Sequence, residues 1–198
     1  YDLVWHSNGF LYVPTNGSAA GGNVPDDPDT TENEGVNGVE KQDDYLFIIP
    51  GEGGTYSGHP NPLNKHYVLN GGNPTSSNDP NQVDAYPVGI DPDPDYDPDY
   101  AYSVSENRSP NGAIEYLSNT FGSSLQNAVI FTQYSSGDNL RAIIVDPATG
   151  LPVDDFILRN TDGQIISYTD PLDVIEGADG RLYMLTLNRS NEIGRAHV

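Results

Sequence analysis

One stretch of this chain occurs twice, and it limits the possible folds more than any other feature. Asp2-Leu3-Val4-Trp5-His6-Ser7-Asn8-Gly9-Phe10-Leu11-Tyr12-Val13 aligns without a gap to Asp173-Val174-Ile175-Glu176-Gly177-Ala178-Asp179-Gly180-Arg181-Leu182-Tyr183-Met184. Each copy has an apolar run, a turn pair (Asn8-Gly9, Asp179-Gly180), one variable residue, then Leu-Tyr and a further apolar residue. Asn-Gly and Asp-Gly supply the positive φ angles of a tight primed turn, and β-favouring residues flank them, so each copy predicts a hairpin. A hairpin that recurs across many short strands points to a sheet module repeated around an axis, as in the blades of a β-propeller. Two unrelated hairpins in another all-β fold is the competing reading.

Composition agrees with an all-β chain carrying long loops. Among 198 residues there are 21 Gly and 16 Pro, hydrophobic residues make up 35%, and no long window carries the apolar period of an amphipathic helix. The net charge of -21 leaves too few cations to neutralise phosphates, which excludes nucleic acid as a partner and disfavours anionic membranes. It favours hard divalent cations such as calcium, bound through carboxylate and carbonyl oxygens. The absence of cysteine removes disulfides, thiolate zinc sites and cysteine nucleophiles together. No apolar run is long enough to span a membrane and no signal-peptide pattern is present. Because Tyr1 falls inside the first hairpin pattern, the chain reads as a fragment, with residues 1–191 native and Glu192 to Val198 resembling the translation of a short-read sequencing adapter.

Along the chain, small and polar residues from Pro14 to Asn23 and the acidic run Asp26 to Glu34 predict a long loop. Asp43 to Pro50 predicts a strand, and residues 70–100 an acidic Pro/Asp-rich surface insertion. Regular structure is expected to resume at Ser109-Pro110-Asn111-Gly112, followed by Ala113 to Leu117, the strong strand Ala128 to Tyr134, Leu140 to Pro147 and the short run Phe156 to Leu158.

Bare motifs give no catalytic residue. The Asp-Pro run from Asp91 to Asp99 lacks the glycine and terminal glutamate of an EF-hand loop and reads as a solvated spacer. His59 and His66 have no third ligand in a known spacing, and His6 beside Trp5 reads as a packing residue. No serine sits in a nucleophile elbow and no glycine-rich loop opens a helix.

The order of segments carries more. Gly9 to Ser18, then Asp43-Asp44-Tyr45-Leu46-Phe47-Ile48, then Gly53-Gly54-Thr55-Tyr56-Ser57-Gly58-His59-Pro60 resembles the soluble glucose/sorbosone dehydrogenase family, and the likeness extends through Ser109 to Leu117 and Asp173 to Leu185. The resemblance implies a six-bladed propeller, of which about three to four blades of antiparallel strands are present here, with long acidic surface loops. It implies pyrroloquinoline quinone and calcium as cofactors, with Asn16 offering a side chain to the quinone and the Gly17 and Ser18 carbonyls binding its calcium. The acidic pair Asp43-Asp44 would serve a second, structural calcium. Calcium at the quinone would polarise the carbonyl that receives hydride. On the bland reading, Asn16-Gly17 is merely a turn and Asp43-Asp44 a solvated strand start.

The departures are His59 where that family's turn has Trp, Ser57 between Tyr56 and Gly58, and Ser18 in place of Pro. The resemblance places the histidine base and the arginines of such enzymes in blades outside these residues, so this fragment alone is expected to be inactive. The parent protein is expected to be secreted or periplasmic, to act on a sugar or polysaccharide, and to complete its ring with its own remaining blades. The alternative is a non-catalytic carbohydrate- or protein-binding propeller module of a large extracellular protein.

Overall fold

Runs of β-branched and aromatic residues, punctuated by Gly, Pro and Asx, form nearly all the regular structure of this chain. The computed structural model describes residues 2–17, 23–24, 36–37, 43–53 and 98–187. Within them lie twelve strands: β1 Val4–Trp5, β2 Phe10–Thr15, β3 Asn23–Val24, β4 Val36–Asn37, β5 Asp43–Pro50, β6 Ala101–Glu106, β7 Pro110–Tyr116, β8 Ala128–Gln133, β9 Asn139–Val145, β10 Pro152–Ile157, β11 Pro171–Glu176 and β12 Leu182–Thr186. The one helical element described is the 3-10 turn Pro98–Tyr100. No helix among the described residues is long and apolar enough to cross a membrane.

The strands make two four-stranded antiparallel meanders, β1-β2-β5-β6 and β7-β8-β9-β10, followed by the hairpin β11-β12; β3 and β4 pair separately. Each meander has the up-and-down order of a propeller blade. Three strands begin with proline, Pro110, Pro152 and Pro171, and each shows a register shift directly after it. Proline brings no N–H to the ladder, so a strand start is the place where it costs least.

Strand β8 is buried at every position. Its alternation sends Ala128 and Ile130 into one core, shared with Val174, Leu182 and Met184 of the last hairpin. Val129 and Phe131 enter the other, shared with Tyr12, Leu46, Ile48 and Val104 of the first sheet. The second sheet is therefore the filling between its two neighbours. At about 1.5–3 kcal/mol for each fully buried large apolar side chain, these face-to-face contacts outweigh any surface interaction in the molecule.

The two copies of the repeat fold alike. Trp5 pairs with Leu11 and Glu176 with Leu182, Val4 with Tyr12 and Ile175 with Tyr183, in one register. The turn, however, is not the two-residue primed turn that Asn8-Gly9 and Asp179-Gly180 predict. Only the glycines have positive φ, +89° at Gly9 and +74° at Gly180. Gly9 N donates to His6 O at 2.9 Å and His6 N to Phe10 O at 2.9 Å, with Gly177, Gly180 and Arg181 in the same roles. This is a three-residue loop closed by a left-handed glycine, in which Asn8 and Asp179 instead accept the Phe10 and Arg181 amides on their side-chain oxygens.

One further expectation changes. Strand β6, Ala101–Glu106, pairs with β5 where no strand was expected. Only Val104 in it is buried, which explains the weak apolar signal.

Candidate functional site

The loop that follows the first hairpin meets the start of β5 through one carboxylate. Gly17 N donates to Asp44 Oδ1 at 2.8 Å, while Arg108 N and Ser109 N donate to Oδ2 at 2.6 and 2.7 Å. Asp44 is buried. The chain around its partners is unusual, with positive φ at Ser105, Asn107 and Ser109. Left-handed backbone in non-glycine residues costs on the order of 1 kcal/mol each, but it turns successive N–H groups toward one point and forms a concavity for an anion. Asp44 is that anion. The same connection is zipped to the β8-β9 turn, with Ser135 N on Arg108 O, Tyr134 N on Ser109 O and Asn107 Nδ2 on Ser136 Oγ.

Of the residues that the sequence singles out, Asn16, Gly17 and Asp44 come together at this end of the sheets. Asn16 Oδ1 is buried and has no hydrogen-bond partner among the described residues. Asp43, next to Asp44 on β5, is held apart from it by a 2.5 Å bond from Ser103 Oγ. Neighbouring residues on a strand face opposite ways, so the two carboxylates do not converge on one ion through their side chains. Ser18, His59 and His66 fall outside the described residues, as does the acidic run from Asp91 to Asp97. Among the described residues no group of three or more His, Asp or Glu side chains is arranged to hold a metal ion. The orphaned Asn16 oxygen fits a cofactor contact; the Asp43-Asp44 pair does not fit a carboxylate cage for calcium.

His6 is a packing residue, as its sequence context suggests. It is buried, with Nε2 2.9 Å from Asn127 O, Nδ1 accepting from Asn8 N at 3.1 Å, and its ring edge-on to Tyr12. Both ring nitrogens are thus engaged within the protein, and Glu115 Oε1 lies 3.5 Å from Nε2.

Residues that motif reading missed lie beside the Asp44 clamp. Arg141 is held by Asp155, with Nε to Oδ1 at 2.6 Å and a second, shorter bond from the terminal nitrogen, and its other terminal nitrogen reaches Val104 O at 2.6 Å. Tyr102 donates to the same Asp155 at 2.9 Å, and burial, then that carboxylate, pushes the phenol up from its ordinary value. Gln133 and Asn139 end and begin adjacent strands there and are both buried. The one hint in the sequence is polar residues closing apolar strands.

No family model matches the chain, and no curated protein matches it. Among solved structures it is similar to the crystal structure of a candidate oxidoreductase (glucose dehydrogenase) from Thermus thermophilus, at 17% identity and a TM-score of 0.48, over 98% of this chain and 41% of that one.

Proposed function

We propose that this chain is an arc of a six-bladed sugar dehydrogenase-like propeller, working outside the cytoplasm, whose parent protein oxidises a sugar hydroxyl or aldehyde. The reading rests on the sequence resemblance and on one structural observation: the Asn16 amide oxygen is buried without a partner among the described residues, in a loop that Asp44 pins through the Gly17 amide. A buried acceptor with no partner costs about 1–3 kcal/mol, and a bound group carrying a donor would remove that cost. Pyrroloquinoline quinone, when bound, would accept the hydride from the sugar. This chain's part would be binding and orientation: Asn16 would contact the cofactor, and the backbone oxygens of Gly17 and Ser18 would hold its calcium. Asp44 keeps the loop in place through three backbone amides, a role that needs no metal.

The second reading is a non-catalytic carbohydrate- or protein-binding module, and a different observation favours it. The turn from Tyr56 to Pro60 departs from the quinone enzymes at Ser57 and His59, and the acidic loops are expanded. One experiment separates the two. The full-length protein is loaded with quinone and calcium, and glucose-dependent dye reduction is followed with wild type and Asn16→Ala. The enzyme reading expects turnover, with the variant binding quinone at least about tenfold more weakly, as loss of one buried hydrogen bond implies. Saturable sugar binding with no quinone binding and no turnover would leave the module reading standing instead.

A further inference from the structure

Among the described residues β12 pairs with β11 alone, so its other side is an open sheet edge. Such an edge carries a row of unpaired N–H and C=O groups, and proteins guard it with charge, proline or bulges. The outer edges of the two meanders are guarded in that way. Strand β10 opens with Pro152, shifts register after it and carries Asp154 and Asp155. Strand β6 exposes Ser103, Ser105 and Glu106 and has positive φ at Ser105. Strand β12 reads Leu182-Tyr183-Met184-Leu185-Thr186, with no charge, proline or glycine. Its outward donors follow from the ladder. Gly177 N donates to Arg181 O, so Ile175 and Tyr183 form the next hydrogen-bonded pair, and the Leu182 and Met184 amides point away from β11.

The face beside that edge is apolar as well. Strand β11 lies against β7 and β8, and Leu182 and Met184 enter the core between the second sheet and the hairpin. The same core continues into a mainly apolar groove of about 940 Å³, walled by Phe121, Leu125, Phe156, Leu158, Ile166 and Tyr168. Phe156 is on β10 opposite Ala142 of β9, so the outer half of the second sheet forms part of this wall. On the opposite face of the second sheet that outer half is covered. There β6, the fourth strand of the first sheet, reaches β9 and β10 through Val104 O to Arg141 and the Tyr102 hydroxyl to Asp155.

We infer that β12 is a docking edge and that the parent protein's own chain fills it. An extended segment adds antiparallel to β12, accepts the Leu182 and Met184 amides on its carbonyls and sets alternate apolar side chains into the groove. The order of the sheets favours the parent chain over a second copy, because both four-stranded sheets add their strands in sequence order. Unguarded edge and apolar groove then have one cause, and the segment buries both. The inference rests on the propeller arc proposed above, and on neither the quinone nor the sugar.

The test follows hydrogen exchange of single amides in the full-length protein by mass spectrometry with electron-transfer fragmentation, and its mass in solution by sedimentation. Leu182 and Met184 are expected to exchange at least ~100-fold more slowly than open-edge amides, in a monomer, and so to match Ile130 on β8, a strand paired on both sides. Ile165→Lys, at an exposed position on the groove wall, is expected to lower Tm by at least about 4 °C, because the docked segment buries the ammonium. If that variant fails to fold, the exchange of the wild type decides. Rapid exchange of either amide, or an Ile165→Lys Tm equal to that of wild type, overturns the inference. Slow exchange found only in a dimer overturns it in favour of a second copy. Slow exchange in a monomer that binds no quinone supports the docking edge and removes the enzyme reading alone. Quinone turnover with rapid exchange does the reverse.

Discussion

Asn8 Nδ2 donates a 2.9 Å hydrogen bond to the hydroxyl of Tyr12, and the second copy of the repeat keeps the contact with the donor reversed, Tyr183 giving its proton to Asp179 Oδ2 at 3.1 Å. The reversal follows from what each turn residue offers: an amide N–H in one copy, a carboxylate in the other. It frees the Tyr12 proton for a longer reach, to Gly150 O at 2.9 Å in the second sheet.

The first prediction concerns that buried phenol. Burial pushes the Tyr12 pKa up to about 12; the Asn8 bond opposes the rise and the nearby Glu115 charge adds to it. The folded state therefore holds the phenol proton after the unfolded chain, near its ordinary value of about 10, has released it. Tyr12 contributes full stability below pH 10, and the contribution is lost as pH rises toward 12. Tyr102 and Tyr168 are also raised, chiefly by burial, and act in the same direction. Tyr12→Phe is expected to cost about 1–2 kcal/mol at neutral pH for the lost hydrogen bonds, and to make the alkaline fall shallower without abolishing it. Urea unfolding at a series of pH values measures both. A variant curve parallel to wild type above pH 10 would show that Tyr12 is not the responsible group.

The second prediction separates the neighbouring aspartates. Asp44→Ala strands three backbone amides, one of them, Ser109, on left-handed backbone, and is expected to destabilise by about 3 kcal/mol or more. Asp43→Ala removes one exposed bond from Ser103 and is expected to cost under about 1 kcal/mol. Denaturant unfolding with and without calcium checks this. Equal losses from the two substitutions, both erased by removing calcium, would mean that the pair acts together on an ion.

The repeat was legible because both copies place glycine where the backbone must be left-handed. A third copy was hidden. Asn127 N donates to Tyr116 O at 2.7 Å, the same closure as Gly9 on His6 and Gly180 on Gly177. Asn127 fills the glycine position with φ +63°, and the loop before it is longer, so neither the residue type nor the spacing advertises the equivalence. The loop that carries Asn16 and Gly17 was likewise readable, whereas the role of Asp44 was not. Its partners are backbone amides, which leave no side-chain signature, and its position before an apolar strand looks like any solvated strand start. Gln133 and Asn139 escaped for a related reason, since their proximity follows from register and not from spacing in the chain.

Third, the two repeat glycines are expected to respond differently to alanine. Both have positive φ, which alone costs about 1 kcal/mol. A Cβ on Gly9 would meet nothing within 4 Å, but one on Gly180 would collide with Thr120 Oγ1 and lie 2.9 Å from Ser118 Cβ. Gly9→Ala should therefore lose about 1 kcal/mol and Gly180→Ala about 2–4 kcal/mol, the excess being overpacking. Thermal and urea unfolding of the two single variants gives the comparison. Equal losses would mean that the 117–120 loop yields without cost.

The sheets are clasped by a device that recurs at consecutive junctions, and it supports a fourth prediction. Glu115, one residue before the end of β7, accepts Ser7 N at 2.8 Å and the Ser7 hydroxyl. Glu176, at the end of β11, accepts Leu117 N at 2.8 Å, Ser118 N at 3.0 Å and the Ser118 hydroxyl. In both cases a carboxylate on the first strand of a sheet ties down the first hairpin loop of the sheet before it, and the bonds are charge-assisted. Glu176→Ala is expected to cost about 2 kcal/mol, against under about 0.5 kcal/mol for Asp162→Ala on an exposed turn. Ser118→Ala alone should lose less, since the two amides still reach the carboxylate. The cycle combining Glu176→Ala with Ser118→Ala should show a coupling of about 0.5–1.5 kcal/mol, because the hydroxyl has no value without its acceptor. Additive losses within error would mean that the serine bond contributes nothing and that the amides alone make the clasp.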